Sequence, residues 1–337
     1  MSALAKKQFN IRELISKLGV FLALFILCVV LAIASDNFLT IPNMMNILRQ
    51  TSINALIATG MLLCLITGGI DLSVGANAVT CTCVMGAFIQ RGITNPLILI
   101  AAALITGTLV GFLNGLLLTK LSLPHPFVST LGMKNVLSGL ALLVVNSQSV
   151  AIPDSAVTYL GSANIFATDT FGGFPVSFLV VIVVFMIFSV FLNRTVLGRH
   201  IYCAGGNREA SRLSGIPTGR VLNSVYAISG FMCALAGIML AGRTGIAAPA
   251  SAIQPYDTDA IAACIIGGAS FAGGKGNMSG TLIGALLISV LRNGLDLLHA
   301  DSAMQYIILG LVIIIAVTID VVRTRADENA RRKAGIK

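Results

Sequence analysis

Ten mostly apolar runs follow one another along this chain, near residues 18–35, 52–70, 73–90, 96–118, 127–146, 174–193, 221–241, 258–272, 278–298 and 303–322. A membrane-spanning helix needs about 20 such residues, and shorter or broken ones are tolerated inside a bundle. In lipid every backbone N–H and C=O must be satisfied within the protein, so repeated runs of this kind can only be helices. The expected fold is all-α: a polytopic membrane helical bundle of about ten transmembrane helices, some of them broken.

Composition agrees with this reading. The chain is 56% hydrophobic and only 10% charged, with a mean hydropathy of +0.93, whereas a soluble domain carries about 25% charged residues. Trp is absent, so any aromatic belt at the membrane surface rests on Tyr and Phe. The basic start (Lys6, Lys7, Arg12, Lys17) before the apolar run Leu18–Ala34 has the outline of a signal peptide. The run is long, lacks a small-residue cleavage site and is followed by nine more, so a retained first helix is expected.

The net charge of +9 does not point to nucleic acid, because the basic residues lie in short clusters between the apolar runs. With ten alternating spans and a cytoplasmic N-terminus, only Arg49, Arg91, Arg243 and Arg292 of the 22 Lys and Arg fall outside. That bias is the positive-inside pattern and places both termini in the cytoplasm. The expected organisation is a cytoplasmic segment 1–17, one membrane domain 18–322 with a cytoplasmic loop 193–220, and a basic cytoplasmic tail 323–337. The loop Ser147–Gly173 has no Lys or Arg and falls outside.

Catalytic chemistry finds no foothold. His125, His200 and His299 are far apart, and no metalloprotease, nucleophile-elbow or phosphate-loop motif occurs. The seven cysteines are scattered and odd in number, which argues against a disulfide framework or a zinc site. Cys81 and Cys83 read as small packing or lipid-facing residues. No cofactor or metal is expected, the chain is not expected to be an enzyme, and ATP-driven transport would need an ATPase on another chain.

Small and polar residues carry more information. Gly107, Gly111 and Gly115 share one helical face, and Gly280 and Gly284 repeat the spacing, which allows close helix packing. The pairs Gly68–Gly69 and Gly267–Gly268 are each followed by polar or small residues and suggest two broken places. "ITGG" at 66–69 and "GTLVG" at 107–111 are echoed by "IIGG" at 265–268 and "GTLIG" at 280–284, a faint sign of an internal repeat. Asp71 lies between two apolar runs. It reads either as part of a cap, with Ser73, at the start of the third helix, or as a group on an aqueous path or gate. Mild polar residues such as Asn54 and Asn77 can line a path for a neutral, hydroxyl-rich solute, and no line of charges crosses the membrane as an ion-coupled carrier acting alone would often need. In the 193–220 loop, Asn207–Ser214 has the marks of one short helix, with Gly205 and Gly206 before it, Asn207 as N-cap, and Gly215 and Pro217 as the stop.

"LITGGIDLSVGA" at 65–76, "PFVSTLGM" at 126–133, "GGNREASRLSGI" at 205–216, "AACIIGGASFAGGKGNMSGTLIGALL" at 262–287 and "NGLDLL" at 293–298 together resemble the ribose-type monosaccharide permease subunits of bacterial ABC importers. The resemblance implies a fold similar to the vitamin-B12-type importers, in the inner membrane, with two subunits around one path, here expected as a homodimer. It implies a periplasmic sugar-binding protein outside and a cytoplasmic ABC ATPase inside, with membrane lipid and no nucleic acid as further surroundings. It places the ATPase-coupling helix on Gly206, Asn207, Glu209, Ala210, Leu213, Ser214 and Gly215. Asn54, Gly68, Gly69, Asp71, Ser73, Asn77, Gly267 and Gly268 are then candidates for the translocation path or gate. The outer arginines Arg49, Arg91, Arg243 and Arg292 are candidates for docking the binding protein. The sugar, and whether the partner subunit is identical, stay open.

Overall fold

A computed structural model describes residues 11–121, 126–168 and 172–333; His125, Lys6, Lys7, Asp169 and Lys337 lie outside these. Each of the ten expected spans coincides with a helix: α1 (Ile11–Ala34), α2 (Ile41–Ile66), α3 (Val74–Gln90), α4 (Pro96–Lys120), α5 (Pro126–Val144), α7 (Val176–Arg194), α10 (Thr218–Thr244), α11 (Tyr256–Ile266), α12 (Met278–Leu297) and α13 (Ser302–Lys333). Three further helices connect them: α6 (Ala156–Ser162), α8 (Val196–Gly206) and α9 (Arg208–Leu213). Among the described residues seven helices are long and apolar enough to cross a membrane, so the chain is a polytopic helical membrane protein.

Helices α2 and α10 are the inner pillars, with 83% and 78% of their apolar windows buried, whereas only 6% of the α13 window is covered. This separation explains where polar residues fall. Thr59 on α2 and Ser229 on α10 are wholly buried in protein, while α13 presents Ile307, Leu311, Ile314 and Ile315 outward. Glycine lets α10 approach α4: a Cβ on Gly111 would run into the carbonyl of Tyr226, and one on Gly230 into that of Gly107. The Gly107–Gly111 spacing is thus used for backbone contact, as it is at Gly280 and Gly284 against Gly267 and Ala263 of the α11 segment. Cys81 and Cys83 are both fully buried, so they pack against protein and not lipid.

The outer loop carries structure that its composition does not announce. Strand β1 (Val150–Ala151) pairs antiparallel with β4 (Ile246–Ala247), and β2 (Asn164–Ile165) with β3 (Phe174–Pro175). Helix α6 starts on a capping box of Ser155 and Thr158 and rests Gly161 on Gly242 of α10.

Four boundaries differ from the sequence expectation, each for a physical reason. Helix α2 starts at Ile41 rather than near 52, because its polar first turns are held by partners. Asn43 and Asn293 exchange reciprocal amide hydrogen bonds of 2.9 and 2.8 Å. Helix α8 lies in the stretch read as loop. It is capped by Thr195, whose hydroxyl accepts from the Gly198 amide at 3.0 Å. Helix α13 continues past 322 to Lys333. The eighth span is the largest difference. Helix α11 has 11 residues, about 16 Å at 1.5 Å per residue, or half a bilayer. The break expected at Gly267–Gly268 is present, but a second one precedes the helix. The chain leaves α10 through left-handed Gly245, forms β4, and passes through a 3₁₀ turn at Pro249–Ile253.

Lys134, which charge counting assigns to the inner side, sits inside α5 as the 127–146 span implies, and its Nζ is 2.6 Å from Asp257 Oδ2 at the start of α11.

Candidate functional site

Three places gather the residues singled out by the sequence. At the charged face, α9 is built as expected. The Asn207 side chain accepts from the Ala210 amide at 2.9 Å, Gly215 takes φ +81°, and Arg212 donates to both Glu209 oxygens at 3.0 and 2.6 Å. These hydrogen bonds hold the Glu209 carboxyl below its usual pKa. Leu213 is 74% exposed at the end of the helix, an apolar group with no cover in the single subunit.

Just behind α9 the backbone is glycine on glycine. The Gly274 amide donates to the Ile66 carbonyl at 2.8 Å. A Cβ on Gly205 would run into that same carbonyl, and one on Gly273 would stand 2.6 Å from Gly205 O and 3.0 Å from Gly68 N. The ends of α8, α2 and the loop after α11 therefore meet without side chains between them. The two Gly pairs close their helices identically. Amides of Thr67, Gly68 and Gly69 donate to Leu63, Leu65 and Cys64, and those of Gly267, Gly268 and Ala269 donate to Ala263, Ile265 and Cys264. Gly68 and Gly268 carry φ +75° and +93°, where a side chain is strained. One turn is thus used twice, but one residue out of register with the "ITGG" and "IIGG" echo, since Thr67, Gly68 and Gly69 hold the places of Gly267, Gly268 and Ala269.

The second place is the turn between α2 and α3. Asp71 is 2% exposed. Its Oδ1 accepts from the Ser73 amide at 3.0 Å and the Ser73 hydroxyl at 2.6 Å, and Ser229 reaches Oδ2 at 3.5 Å. Asn114 donates to Ser73 Oγ at 2.8 Å, and Asn77 to the Gly107 carbonyl at 3.2 Å. These contacts tie the start of α3 to α4 and α10; Ser73 stands at the N-cap position without a side-chain bond to the first turn of the helix, and Asp71 closes a tight turn on Ser73 just before it.

The third place is a cavity of about 320 Å³ among α2, α10, α11, α12 and the start of α13, at the end that the charge distribution puts outside. Asn54, Arg243 and Arg292 all line it, so it joins a path candidate to two docking candidates. Arg292 makes a two-pronged ion pair with Asp259, at 2.6 and 2.8 Å. Asn54 is 6% exposed, and neither its Oδ1 nor its Nδ2 has a hydrogen-bond partner; Gln50 Oε1 is also unpartnered. A buried polar group left in this state costs about 1–3 kcal/mol.

The outer arginines are not alike. Arg91 is exposed at the turn after α3. Arg49 donates to Asn164 at 2.7 Å, Arg243 to Asn46 at 3.2 Å, and Arg292 is held by Asp259, so these three are engaged within the chain. Tyr256, Asp259 and Gln254 of the cavity were missed by sequence reasoning, whereas Ser289 is one of the mild polar residues of the spans. Pro249 and Pro255 before the short α11 were the available signal, since they mark irregular backbone, which at membrane depth must be buried in protein or line a cavity.

Comparison with known proteins gives the same outline. The family profile described as "Branched-chain amino acid transport system / permease component" matches residues 43–317. The ribose import permease protein RbsC of Bacillus subtilis is 39% identical over 318 residues, 94% of this chain and 96% of the relative. The fructose import permease protein FrcC of Rhizobium meliloti is 36% identical over 86% of this chain and 80% of its own length. The L-arabinose transport system permease protein AraH of Escherichia coli is 33% identical over 96% of each. No solved structure matches the chain. With a profile match over residues 43–317 and relatives 33–39% identical over most of its length, the chain belongs to this family of transport-system permease components.

Proposed function

We propose that the chain is the membrane-spanning subunit of an ATP-driven importer that moves a monosaccharide into the cytoplasm. The observation that carries this is α9: a capped helix with an uncovered leucine, standing on a glycine junction that touches the ends of both α2 and the α11 segment. Relatives named for ribose, fructose and arabinose import support a sugar as the cargo.

In this reading an ATPase chain docks on Glu209, Ala210, Leu213 and Ser214. Its closure pushes α9, and the push passes through Gly205 and Gly206 into Ile66 and Gly274 by backbone contact, with no flexible side chain to absorb it. Both α2 and α11 line the outer cavity, so movement at their inner ends alters it. Gly68, Gly69, Gly267 and Gly268 are the points where the two helices can turn. A binding protein meets the outer face, where Arg91 is free to steer an acidic partner; such an exposed charge contributes to rate more than to affinity. A second copy of the chain completes the path.

The test is recovery of the tagged permease from its native membranes. Co-purification of an ATPase and a periplasmic binding protein, with sugar uptake that stops when ATP is depleted, supports the proposal. Recovery of the permease alone, with uptake that follows an ion gradient, replaces it with a secondary carrier.

A further inference from the structure

The loop that joins α11 to α12 is tied to more of the molecule than its length suggests. It closes on Ser270, which is 3% exposed. The Ser270 amide donates to the Lys275 carbonyl at 3.2 Å, and the Ser270 carbonyl accepts from the Gly273 amide at 3.1 Å. The Ser270 hydroxyl accepts from the Ala272 amide at 3.3 Å. Helices from three other parts of the chain hold this turn. Helix α2 accepts the Gly274 amide on its Ile66 carbonyl at 2.8 Å. Helix α8 supplies Tyr202, whose hydroxyl donates to the Gly276 carbonyl at 2.8 Å, and its Gly205 and Gly206 lie against Gly273 and Gly274. Helix α13 supplies Asp320. Its Oδ2 accepts from the Ser270 hydroxyl at 3.2 Å and from the Phe271 amide at 3.4 Å.

These ties differ in what they can transmit. Gly273 and Gly274 take φ +81° and +69° and carry no side chain, so the stretch that α8 touches is the most deformable part of the loop. A displacement of α8 applied there can shift α11 as a body, or it can be lost in bending the glycines. Ser270 lies between these glycines and Ala269, where the closing turn of α11 ends. Whether Ser270 and Phe271 are held therefore decides which of the two happens. Asp320 is the group on α13 that holds them. That helix is otherwise turned away from the bundle, with 6% of its apolar window buried; Ile319 and Val322 point outward, 51% and 60% exposed. An acid on such a span that is turned to the protein marks a role beyond anchoring in lipid.

We infer that Asp320 is a positioning residue for coupled import: it braces Ser270 and Phe271 against α13, so that movement of α8 and α9 reaches α11 instead of being absorbed by the glycine loop. The inference rests on the ATP-driven reading and adds α13 to the coupling apparatus. Both donors address one oxygen of Asp320, so an amide oxygen at the same place can do the same work and the charge is dispensable.

The experiment compares Asp320→Ala and Asp320→Asn in the full importer, with its ATPase and binding protein, in sealed vesicles. ATP hydrolysis and uptake are measured on the same preparation, with whichever of D-ribose, L-arabinose and D-fructose the unmodified importer takes up. Asp320→Ala is expected to assemble and hydrolyse ATP at the unmodified rate while uptake per ATP falls about fivefold, the ratio equivalent to the net worth of one hydrogen bond. Asp320→Asn is expected to keep the unmodified ratio. An unchanged ratio in Asp320→Ala overturns the inference, as does a loss that Asp320→Asn shares. If Asp320→Ala does not assemble, Ser270→Ala, which removes one of the two donors, takes its place and is read in the same way. The unmodified importer keeps the two claims apart. Uptake that does not depend on ATP sinks the importer reading and the brace with it; ATP-driven uptake with an unmoved ratio in the variants sinks the brace alone.

Discussion

The turn at Asp71 and the cavity at Asn54 are both polar, both buried and both bordered by α2, yet they are built on opposite principles. At Asp71 the carboxylate oxygens are spent on Ser73 and Ser229. At Asn54 neither amide atom is spent on anything. The Asp71 region is not free of unpaired atoms, since Asn114 Oδ1 and Tyr226 Oη stand alone, but neither residue lines the outer cavity. Saturated polar groups in a membrane protein fix helices in place, whereas the Asn54 amide, buried with neither atom paired, provides no such tie.

The contrast can be broken most forcefully at the rim of the cavity. Asp259→Ala leaves Arg292 buried without its partner and is expected to cost about 3–5 kcal/mol, read as a large fall in thermal midpoint in detergent. Asp259→Ala with Arg292→Leu should recover most of that loss, because the penalty is the orphaned charge and not the missing contact. The Asp71 turn comes next. Asp71→Ala removes three hydrogen bonds from a buried site and should cost about 1–3 kcal/mol, whereas Asp71→Asn keeps an acceptor for Ser73 and should preserve both assembly and uptake. Folded Asp71→Asn protein that no longer imports sugar would give the carboxylate a gate role and erase the distinction drawn here.

Asn54→Leu should show the opposite signature. Removing an unpaired buried amide is expected to leave stability unchanged or raise it by about 1 kcal/mol, while sugar uptake falls; a destabilised variant with normal uptake would make Asn54 a structural residue. The smallest effect belongs to the exposed pair on α9. Arg212 holds the Glu209 pKa down, so the pair's support for the helix is complete above the unfolded carboxylate pKa and is lost as the pH falls through the lower folded value. Association of the permease with its ATPase should therefore weaken slightly in acid. Glu209→Gln should flatten that dependence without abolishing association, measured by co-purification across pH.

Hydropathy alone determined that the chain is a polytopic helical bundle, because lipid leaves the backbone no alternative. Local chemistry determined α9 to within a residue or two, since an Asn cap, two preceding glycines and a left-handed glycine stop act over a single turn and need no distant partner. The same is true of the Gly68 and Gly268 turns. Only the tertiary structure decided what the buried polar residues do. Whether Asp71 or Asn54 is satisfied depends on Ser229 and on the absence of any facing donor, groups far away along the chain. The half-length of α11 likewise follows from the pairing of the strand before it with Val150–Ala151, a segment that lies five helices earlier in the chain. Three of the arginines that charge placement puts outside are held by Asn164, Asn46 and Asp259. Charge placement along a chain reports which side of the membrane a residue is on; its partner is chosen by packing.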